Sequence, residues 1–285
     1  MPMKLLNRAD IALISETELL PAGRQRLTQL PVVIMVGLTG VGKSTTLSWL
    51  QKMALTVTLL PNRREVTDEV MIAPLQRALG QTPQPVTDRL ERFEYTARYR
   101  AQYPGGMAHA LSQLAFKPDR PNIIVIFDGL RGLNEVKYAA AHFSQARFVV
   151  LDAPDLVRLQ RLLERGDHFD RAALPAMPVN EDLITALKTV DKIETIFSQA
   201  RLAQVAHIVQ AAGISTETAL AKITIIVKER LNYDSNSARA YLTQTLPPER
   251  VLVVDTAQDE AQAVAQQIGA WLGLESSLYS YAKDC

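Results

Sequence analysis

The chain has only one cysteine, Cys285, and nothing close to the run of about 18 uninterrupted apolar residues that a membrane-spanning helix requires. A single cysteine excludes a disulfide framework or a cysteine-based metal site within one chain, as is typical of a reducing compartment. Residues 1–15 contain Arg8 and Asp10 and lack an apolar run followed by small residues, so no secretory signal peptide is predicted there. We therefore expect a soluble cytoplasmic protein.

Neither sign of charge is in excess, because 31 lysine and arginine residues are matched by 30 aspartate and glutamate residues. Net charge thus indicates neither a nucleic-acid partner nor a membrane surface, and any anion site must be built locally. The 285 residues, 47% of them hydrophobic, suffice for one α/β domain with a full core and insertions. Nothing in the composition indicates an oligomeric state.

Five short apolar runs rich in β-branched residues alternate with helical patterns. Because the runs show no polar alternation, we expect strands of a parallel sheet covered on both faces, built from βαβ units. The predicted strands are residues 32–36, 56–60, 122–127, 147–151 and 251–254. A helical lead-in that is interrupted near Pro21 is predicted over residues 16–30, and a closing helix over residues 259–272.

Two intervals, residues 61–121 and 166–250, are too long to be plain loops of a compact domain, so we expect each to contain helices. The first is rich in arginine and is interpreted as an acceptor-binding insertion, and the second as a helical, lid-like insertion. The predicted organisation is a lead-in over residues 1–31 followed by one domain over residues 32–285.

Residues 37–44 read GLTGVGKS, a G-x-x-x-x-G-K-S sequence between a predicted strand and a predicted helix. The glycines allow turns that point successive N–H groups inward, and the helix N-terminus favours phosphate. Lys43 is expected to reach the β- and γ-phosphates of a nucleotide, and the Ser44 hydroxyl to ligate magnesium. A chance glycine turn is the alternative. The predicted nucleotide-binding residues are Gly37, Thr39, Gly40, Val41, Gly42, Lys43, Ser44 and Thr45.

Asp128 follows the third predicted strand, where it can hold the magnesium ion or its water shell. The alternative is a turn aspartate preceding Gly129. Water-activating ATPases usually have glutamate directly after this aspartate, where this chain has Gly129. This difference favours transfer of the phosphoryl group to a bound acceptor. The absence of an asparagine-lysine-x-aspartate motif argues against a regulatory GTPase, but the choice between ATP and GTP stays open.

After residue 154 a helix is predicted that carries Arg158, Arg161 and Arg165 at i, i+3 and i+7, on one face. Such a stripe can neutralise the charge of a transferring phosphoryl group. The alternative is a solvated face paired with Glu164 and Asp167.

Arg63 and Arg64 follow the second predicted strand and are the preferred acceptor-binding residues, since guanidinium groups bind phosphate or carboxylate bidentately. For a hydroxyl acceptor, Glu65 or Asp68 could accept the proton. The alternative is a solvated charged helix. Further arginines of this interval are Arg89, Arg92, Arg98 and Arg100.

The combination resembles P-loop small-molecule kinases, in particular the adenylate kinase-like nucleoside monophosphate kinase group. Residues 128–131 (DGLR) are similar to that group's aspartate-glycine-phenylalanine-proline-arginine segment, with leucine for phenylalanine and no proline. Arg161 and Arg165 match the arginines of the helix that leads into the lid, which implies contact with the donor nucleotide and its phosphates. The implied fold is a P-loop NTPase three-layer α/β/α domain with a mainly parallel five-stranded sheet and helical insertions.

The sequence therefore predicts a phosphotransferase that uses ATP and Mg²⁺ and acts on a small, nucleotide- or nucleoside-like acceptor. The alternatives are an ATPase switch or assembly protein with a protein or nucleic-acid partner, which the long interval 166–250 favours, and a polynucleotide end kinase. The predicted roles are catalysis by Lys43, Asp128, Arg161 and Arg165, acceptor binding by Arg63, Arg64 and Arg131, and magnesium binding by Ser44 and Asp128.

Overall fold

A computed structural model describes residues 8–14, 18–53, 57–120, 123–164 and 183–274. The strands are β1 (Ile11–Leu13), β2 (Gln25–Arg26), β3 (Val33–Val36), β4 (Val57–Leu59), β5 (Leu114–Phe116), β6 (Ile124–Leu130), β7 (Arg147–Asp152) and β8 (Val251–Asp255). The helices are α1 (Lys43–Met53), α2 (Arg63–Val66), α3 (Ala73–Ala78), α4 (Arg89–Gln102), α5 (Gly106–Ser112), α6 (Leu133–His142), α7 (Asp155–Glu164), α8 (Leu183–Lys188), α9 (Gln199–Ala211), α10 (Thr216–Asn232), α11 (Ser235–Thr245) and α12 (Ala261–Leu272). A π-helical segment, Thr67–Ile72, joins α2 to α3. None of the described helices is long and apolar enough to cross a bilayer.

The main sheet has five parallel strands in the order β4-β6-β3-β7-β8, which confirms the predicted α/β fold. The strand β3 lies in the centre, and all four of its side chains are buried. The connection after β3 leads toward β4 on one side, and the connection after the neighbouring β7 leads toward β8 on the other. The carboxyl ends of β3 and β7 therefore form the switch point where ligands bind in such sheets. The five strands begin and end within about three residues of the predicted positions, an ordinary uncertainty for such boundaries.

Successive side chains of the central strands alternate between two cores, as strand geometry requires. Ile34 and Phe127 belong to the core beneath α5, α6 and α11, whereas Val33 and Ile126 belong to the core beneath α1 and α12. The three layers of the predicted architecture follow from this alternation. All the side chains named are at most 1% exposed, so the sheet is covered on both faces.

The two long intervals contain their own helices, as predicted. Residues 61–121 contain α2 to α5 with the short strand β5, and the described part of 166–250 contains α8 to α11. Helices α7 to α10 bury a separate apolar core that includes Leu159, Phe197, Val205 and Ile226. Helices α8 to α10 of the helical insertion therefore share a hydrophobic core with α7, beside the sheet.

The predicted helical lead-in over residues 16–30 is wrong for its described part. Gln25 and Arg26 pair antiparallel with β5, which itself pairs with β1, and only one 3-10 turn, Leu27–Gln29, follows. Pro21 and Gly23 interrupt the helical pattern, since proline lacks an N–H donor and Gly23 adopts a positive φ of 73°. The small antiparallel sheet closes one edge of the domain instead.

Helix α1 contributes Leu50, which is fully buried between the sheet and α12. We expect Leu50→Ala to lower the free energy of unfolding by about 2–5 kcal/mol, because apolar contacts are lost and a cavity remains. Leu79→Ala is the matched control, since Leu79 is 56% exposed, and it should change stability by less than about 0.5 kcal/mol. Urea unfolding of both variants checks this, and equal losses would contradict the packing of α1.

Candidate functional site

The loop between β3 and α1 packs against helix α7. Gly40 and Gly42 have φ values of 86° and 91°, in the left-handed region that favours glycine. A Cβ atom on Gly40 would lie 2.7 Å from the carbonyl oxygen of Arg158. The loop thus reaches its conformation only because position 40 has no side chain to collide with the α7 backbone.

Lys43 is the first residue of α1, and its side chain folds back over the loop. Its ammonium group donates to the carbonyl oxygens of Gly37 at 2.9 Å and Leu38 at 3.0 Å, and lies 3.8 Å from Asp128 Oδ1. Burial lowers the pKa of Lys43 to about 8, although the Asp128 carboxylate opposes that shift. The amine therefore lies at the loop with a pKa near the upper end of the physiological range.

Asp128 lies inside β6 rather than after its end, because the strand continues to Leu130 and Gly129 is skipped in the register with β3. Its Oδ1 atom is buried and has no hydrogen-bond partner among the described residues. Mg²⁺ typically binds through one or two protein oxygens together with phosphates. Ser44 and Asp128 therefore fit a magnesium site. The described residues contain no group of three or more histidine, cysteine, aspartate or glutamate residues that could hold a metal ion.

A pocket of about 690 Å³ opens in front of the loop and brings most of the predicted site residues together. Its described lining has an excess of positive charge, which suits a polyanionic ligand. The lining carboxylates are Asp128, Glu164 and Asp259. The lining cations are Lys43, Arg63, Arg64, Arg89, Arg92, Arg131 and Arg161. The lining also includes Thr39, Gly40, Gly42, Ser44 and Thr45.

Two of the predicted nucleotide-binding residues, Gly37 and Val41, lie behind the pocket rather than in its described lining. The Gly37 carbonyl accepts from Lys43, and the Val41 carbonyl accepts from the Thr256 hydroxyl at 2.9 Å. Their main chain thus shapes the loop. Whether any of these residues contacts a nucleotide stays a prediction.

The arginines of α7 differ in environment. Arg158 is 1% exposed, and its Nε donates to the carbonyl oxygen of Thr39 at 2.8 Å. Arg161 donates to Thr256 Oγ1 at 3.0 Å, to the Thr256 carbonyl at 2.6 Å and to the Gly40 carbonyl at 3.3 Å. The alternative of a solvated face is therefore wrong for these two, and only Arg161 borders the pocket. The predicted catalytic residue Arg165 lies outside the described residues.

Arg63 is held by a carboxylate within the protein. Its guanidinium group binds Glu135 bidentately at 3.0 and 2.6 Å, donates to the Tyr233 hydroxyl at 3.0 Å and contacts the Gly129 carbonyl. Although burial opposes it, the Glu135 carboxylate raises the pKa of Arg63. Because Glu135 compensates its charge, Arg63 is suited to shaping the pocket wall, whereas acceptor binding by Arg64 and Arg131 stays a prediction.

The two predicted proton acceptors are engaged elsewhere. Glu65 closes a capping box in which its side chain accepts from the Asn62 N–H at 2.7 Å, and Asp68 is ion-paired with Arg92. Neither carboxylate belongs to the described lining of the pocket. The hypothesis that one of them is the base is therefore not supported by geometry, and Asp128 is the carboxylate of the described pocket lining that lies beside Lys43.

Glu229, on helix α10, is the functional candidate that no motif points to. Its carboxylate is fully buried and accepts from the N–H of Thr39 at 2.8 Å and from its hydroxyl at 2.8 Å. Although burial raises the pKa of a carboxyl group, the surrounding guanidinium groups hold the pKa of Glu229 far below its usual range. They are Arg131 at 2.8 Å, Arg158 at 2.7 Å and Arg89 at 3.7 Å. The available signal was a glutamate two residues after a mostly apolar helical stretch, residues 219–227, which itself contains Lys222 and Thr224.

The close approach at Gly40 gives a test of the loop. We expect Gly40→Ala to weaken MgATP binding by at least about tenfold, because a Cβ displaces the loop from α7 and with it the N–H groups that would face phosphate. The matched control is Gly213→Ala, which has a φ of 62° but no neighbouring atom within 4 Å of the added Cβ. It should cost stability through backbone strain, about 1–2 kcal/mol, and leave affinity unchanged. Calorimetric titration decides, and equal affinities of the two variants would contradict the assignment of the loop.

Comparisons with models of protein families and with curated proteins found no match. Solved structures similar to the chain include a sugar kinase from Janibacter sp. (15% identity, 86% of this chain and 95% of that chain covered, TM-score 0.35). A sulfotransferase from Alicyclobacillus acidocaldarius is 12% identical over 87% of this chain and 83% of that chain, with a TM-score of 0.43. The sulfotransferase domain of a Synechococcus olefin synthase is 14% identical over 87% and 74%, with a TM-score of 0.37. At these identities and TM-scores the similarities assign no activity to the chain.

Proposed function

We propose that the protein is an ATP-dependent phosphotransferase that moves the γ-phosphoryl group of MgATP to a small anionic acceptor. The observation that carries the proposal is the joint lining of one pocket by the glycine loop, Lys43, Asp128 and six arginines. Phosphoryl transfer needs little covalent chemistry from the protein, so positioning and charge compensation supply most of the catalysis.

In the donor half, the N-terminus of α1 and the Lys43 ammonium group bind the β- and γ-phosphates. Ser44 and Asp128 would hold the magnesium ion, which neutralises charge on the phosphates when bound. Arg161 is fixed by Thr256 beside the loop and adds a positive charge there.

The acceptor half of the pocket is formed by α2, α4 and the π-helical segment between α2 and α3. Its side chains are cationic, polar or aromatic, and the carboxylates in the described lining all lie elsewhere. An acceptor with a phosphate or carboxylate group is thus favoured over a neutral sugar, and Phe93 offers an apolar surface for a ring. The side chains on this side are Asn62, Arg63, Arg64, Thr67, Arg89, Arg92, Phe93 and Thr96.

An acceptor that reacts through an ionised phosphate oxygen needs no general base. That oxygen attacks the γ-phosphorus, the bond from the γ-phosphorus to the bridging oxygen breaks, and ADP leaves with the electron pair. This agrees with a described lining in which Asp128, beside Lys43, is the carboxylate near the loop. The resemblance of residues 128–131 to the nucleoside monophosphate kinase group supports a nucleotide-like acceptor.

A second candidate function is a nucleotide-driven switch. The observation that favours it is the pair of hydrogen bonds that Thr39 of the loop donates to Glu229, which lies in the helical interval 166–250. Through that contact the helices could respond to the nucleotide without an acceptor. Transfer and switching are distinguished by the fate of the γ-phosphate.

We expect transfer of label from γ-labelled ATP to a nucleoside monophosphate or another anionic small molecule in a panel that also contains nucleosides, neutral sugars and nucleic-acid ends. Lys43→Ala should lower the rate about 10²–10³-fold, since it removes the charge on the transferring group. Thin-layer separation of labelled products checks this. Phosphate release at equal rates with and without every acceptor would favour the switch, and label on nucleic-acid ends would favour a polynucleotide kinase.

The lowered pKa of Lys43 predicts that MgATP binding takes up a proton in alkaline buffer. Phosphate stabilises the ammonium form, so binding raises the pKa, and at about pH 8.5 roughly half a proton or more should be absorbed. At about pH 6.5 the free amine is already protonated and this uptake should vanish. Calorimetry in buffers of different ionisation enthalpy measures the effect.

Lys43→Arg is the control for this proton, because a guanidinium group stays protonated throughout that range. The same pKa shift determines how stability depends on pH. Between the folded pKa of Lys43, about 8, and its usual value of 10.5, the unfolded chain binds more protons than the folded chain. The contribution of Lys43 to the free energy of unfolding therefore rises with pH in this range. Equal uptake by wild type and Lys43→Arg would contradict a role of Lys43 at the phosphates.

A further inference from the structure

The carboxylate of Glu229 connects the helical insertion to both halves of the pocket. It accepts the main-chain N–H and the hydroxyl of Thr39, the third residue of the loop. The same hydroxyl accepts from Arg89 Nη2 at 2.8 Å, so Arg89 of α4 reaches the loop through Thr39. Arg131, which follows β6, lies 2.8 Å from Glu229 Oε1, the oxygen that also accepts from the Thr39 hydroxyl.

Three guanidinium groups approach the Glu229 carboxylate, and one of them, Arg158, also pairs with Asp155 and lies behind the pocket. Arg89 and Arg131 both border the pocket, and the Nε of Arg131 is buried without a hydrogen-bond partner among the described residues. A buried N–H donor without a partner is costly, so the Arg131 Nε indicates a ligand atom that accepts a hydrogen bond from it. Arg89 and Arg131 border the space in front of Thr39, which lines the same pocket.

That space adjoins the predicted γ-phosphoryl position. Lys43, which reaches the β- and γ-phosphates in a loop of this sequence, donates to the carbonyl of Leu38, the residue before Thr39. Arg89 donates to Thr39 itself. Guanidinium groups placed there meet the terminal phosphate rather than the α-phosphate or the base.

We propose that Glu229 is a positioning residue that holds Arg89 and Arg131 against the γ-phosphoryl group of the bound nucleotide. The inference rests on the proposed function for the identity of the donor, and it adds a guanidinium pair from α4 and β6 that is oriented by a carboxylate of the helical insertion. Glu229 itself does not touch the nucleotide.

The test compares affinities for ADP and for the non-hydrolysable imido analogue of ATP, both with Mg²⁺, by calorimetry. Wild type should prefer the analogue. Arg89→Ala and Glu229→Gln should each reduce that preference about tenfold or more, since a charge-assisted contact to the terminal phosphate is lost or misdirected. In the double variant the loss should be smaller than the product of the two single losses, because Glu229 acts through the arginines.

Glu217→Gln, at the exposed start of the same helix, is the matched control and should bind as wild type does. If Glu229→Gln does not fold, Thr39→Val removes the hydroxyl between Arg89 and Glu229 and leaves the ion pairs of Glu229 with Arg131 and Arg158, and it should reduce the same preference. An unchanged preference, or an equal loss of both affinities, overturns the inference. Because no turnover is involved, a lack of labelled product in the transfer assay overturns the proposed function separately.

Discussion

The loop after β3 keeps its conformation because two side chains from the α7–α10 unit bind its third residue. The Glu229 carboxylate accepts the Thr39 N–H, and Arg158 donates to the Thr39 carbonyl, while Arg158 and Glu229 are themselves 2.7 Å apart. All three groups are buried, so each bond forms away from water, where an unpaired partner would be costly. A glycine-rich turn, which has much conformational entropy to lose, is thereby fixed before any ligand arrives.

The same contacts explain why the pocket is cationic although the chain is nearly neutral. The carboxylates that balance its arginines lie in the walls: Glu135 behind Arg63, Asp68 behind Arg92 and Glu229 behind Arg131. Each acidic group thus orients a guanidinium group while its own oxygens are withdrawn from the described pocket lining. Binding of a polyanion, as the proposed function requires, would then cost little reorganisation, which is the condition under which fixed charges contribute most to transition-state stabilisation.

The sheet and the loop were predictable because their signals are local. The five apolar runs have the period and composition of buried strands, and G-x-x-x-x-G-K-S combines turn, helix start and cation in eight residues. The lead-in was mispredicted because residues 25–26 become a strand only through pairing with residues 115–116, a contact far along the chain. The role of Glu229 was not predicted for a related reason. Glu229 lies 190 residues from Thr39, and the local sequence around either residue does not indicate a contact with the other. Arg63 follows a predicted strand, as a binding residue would, but its ion pair with Glu135 joins residues 72 positions apart and was not predictable from the local sequence.

The helical insertion need not close over the pocket to influence it. Helices α7 to α10 share one apolar core, and from this unit Arg158, Arg161 and Glu229 all contact residues 39–40 of the loop. A rigid body attached at three points to a short loop shifts that loop if it shifts at all, because packed cores move as units rather than deforming continuously. By linkage, a nucleotide that favours one loop conformation must favour the matching arrangement of the insertion by the same free energy. Under either candidate function, the strength of nucleotide binding would therefore be tied to the packing of helices that do not themselves form the loop.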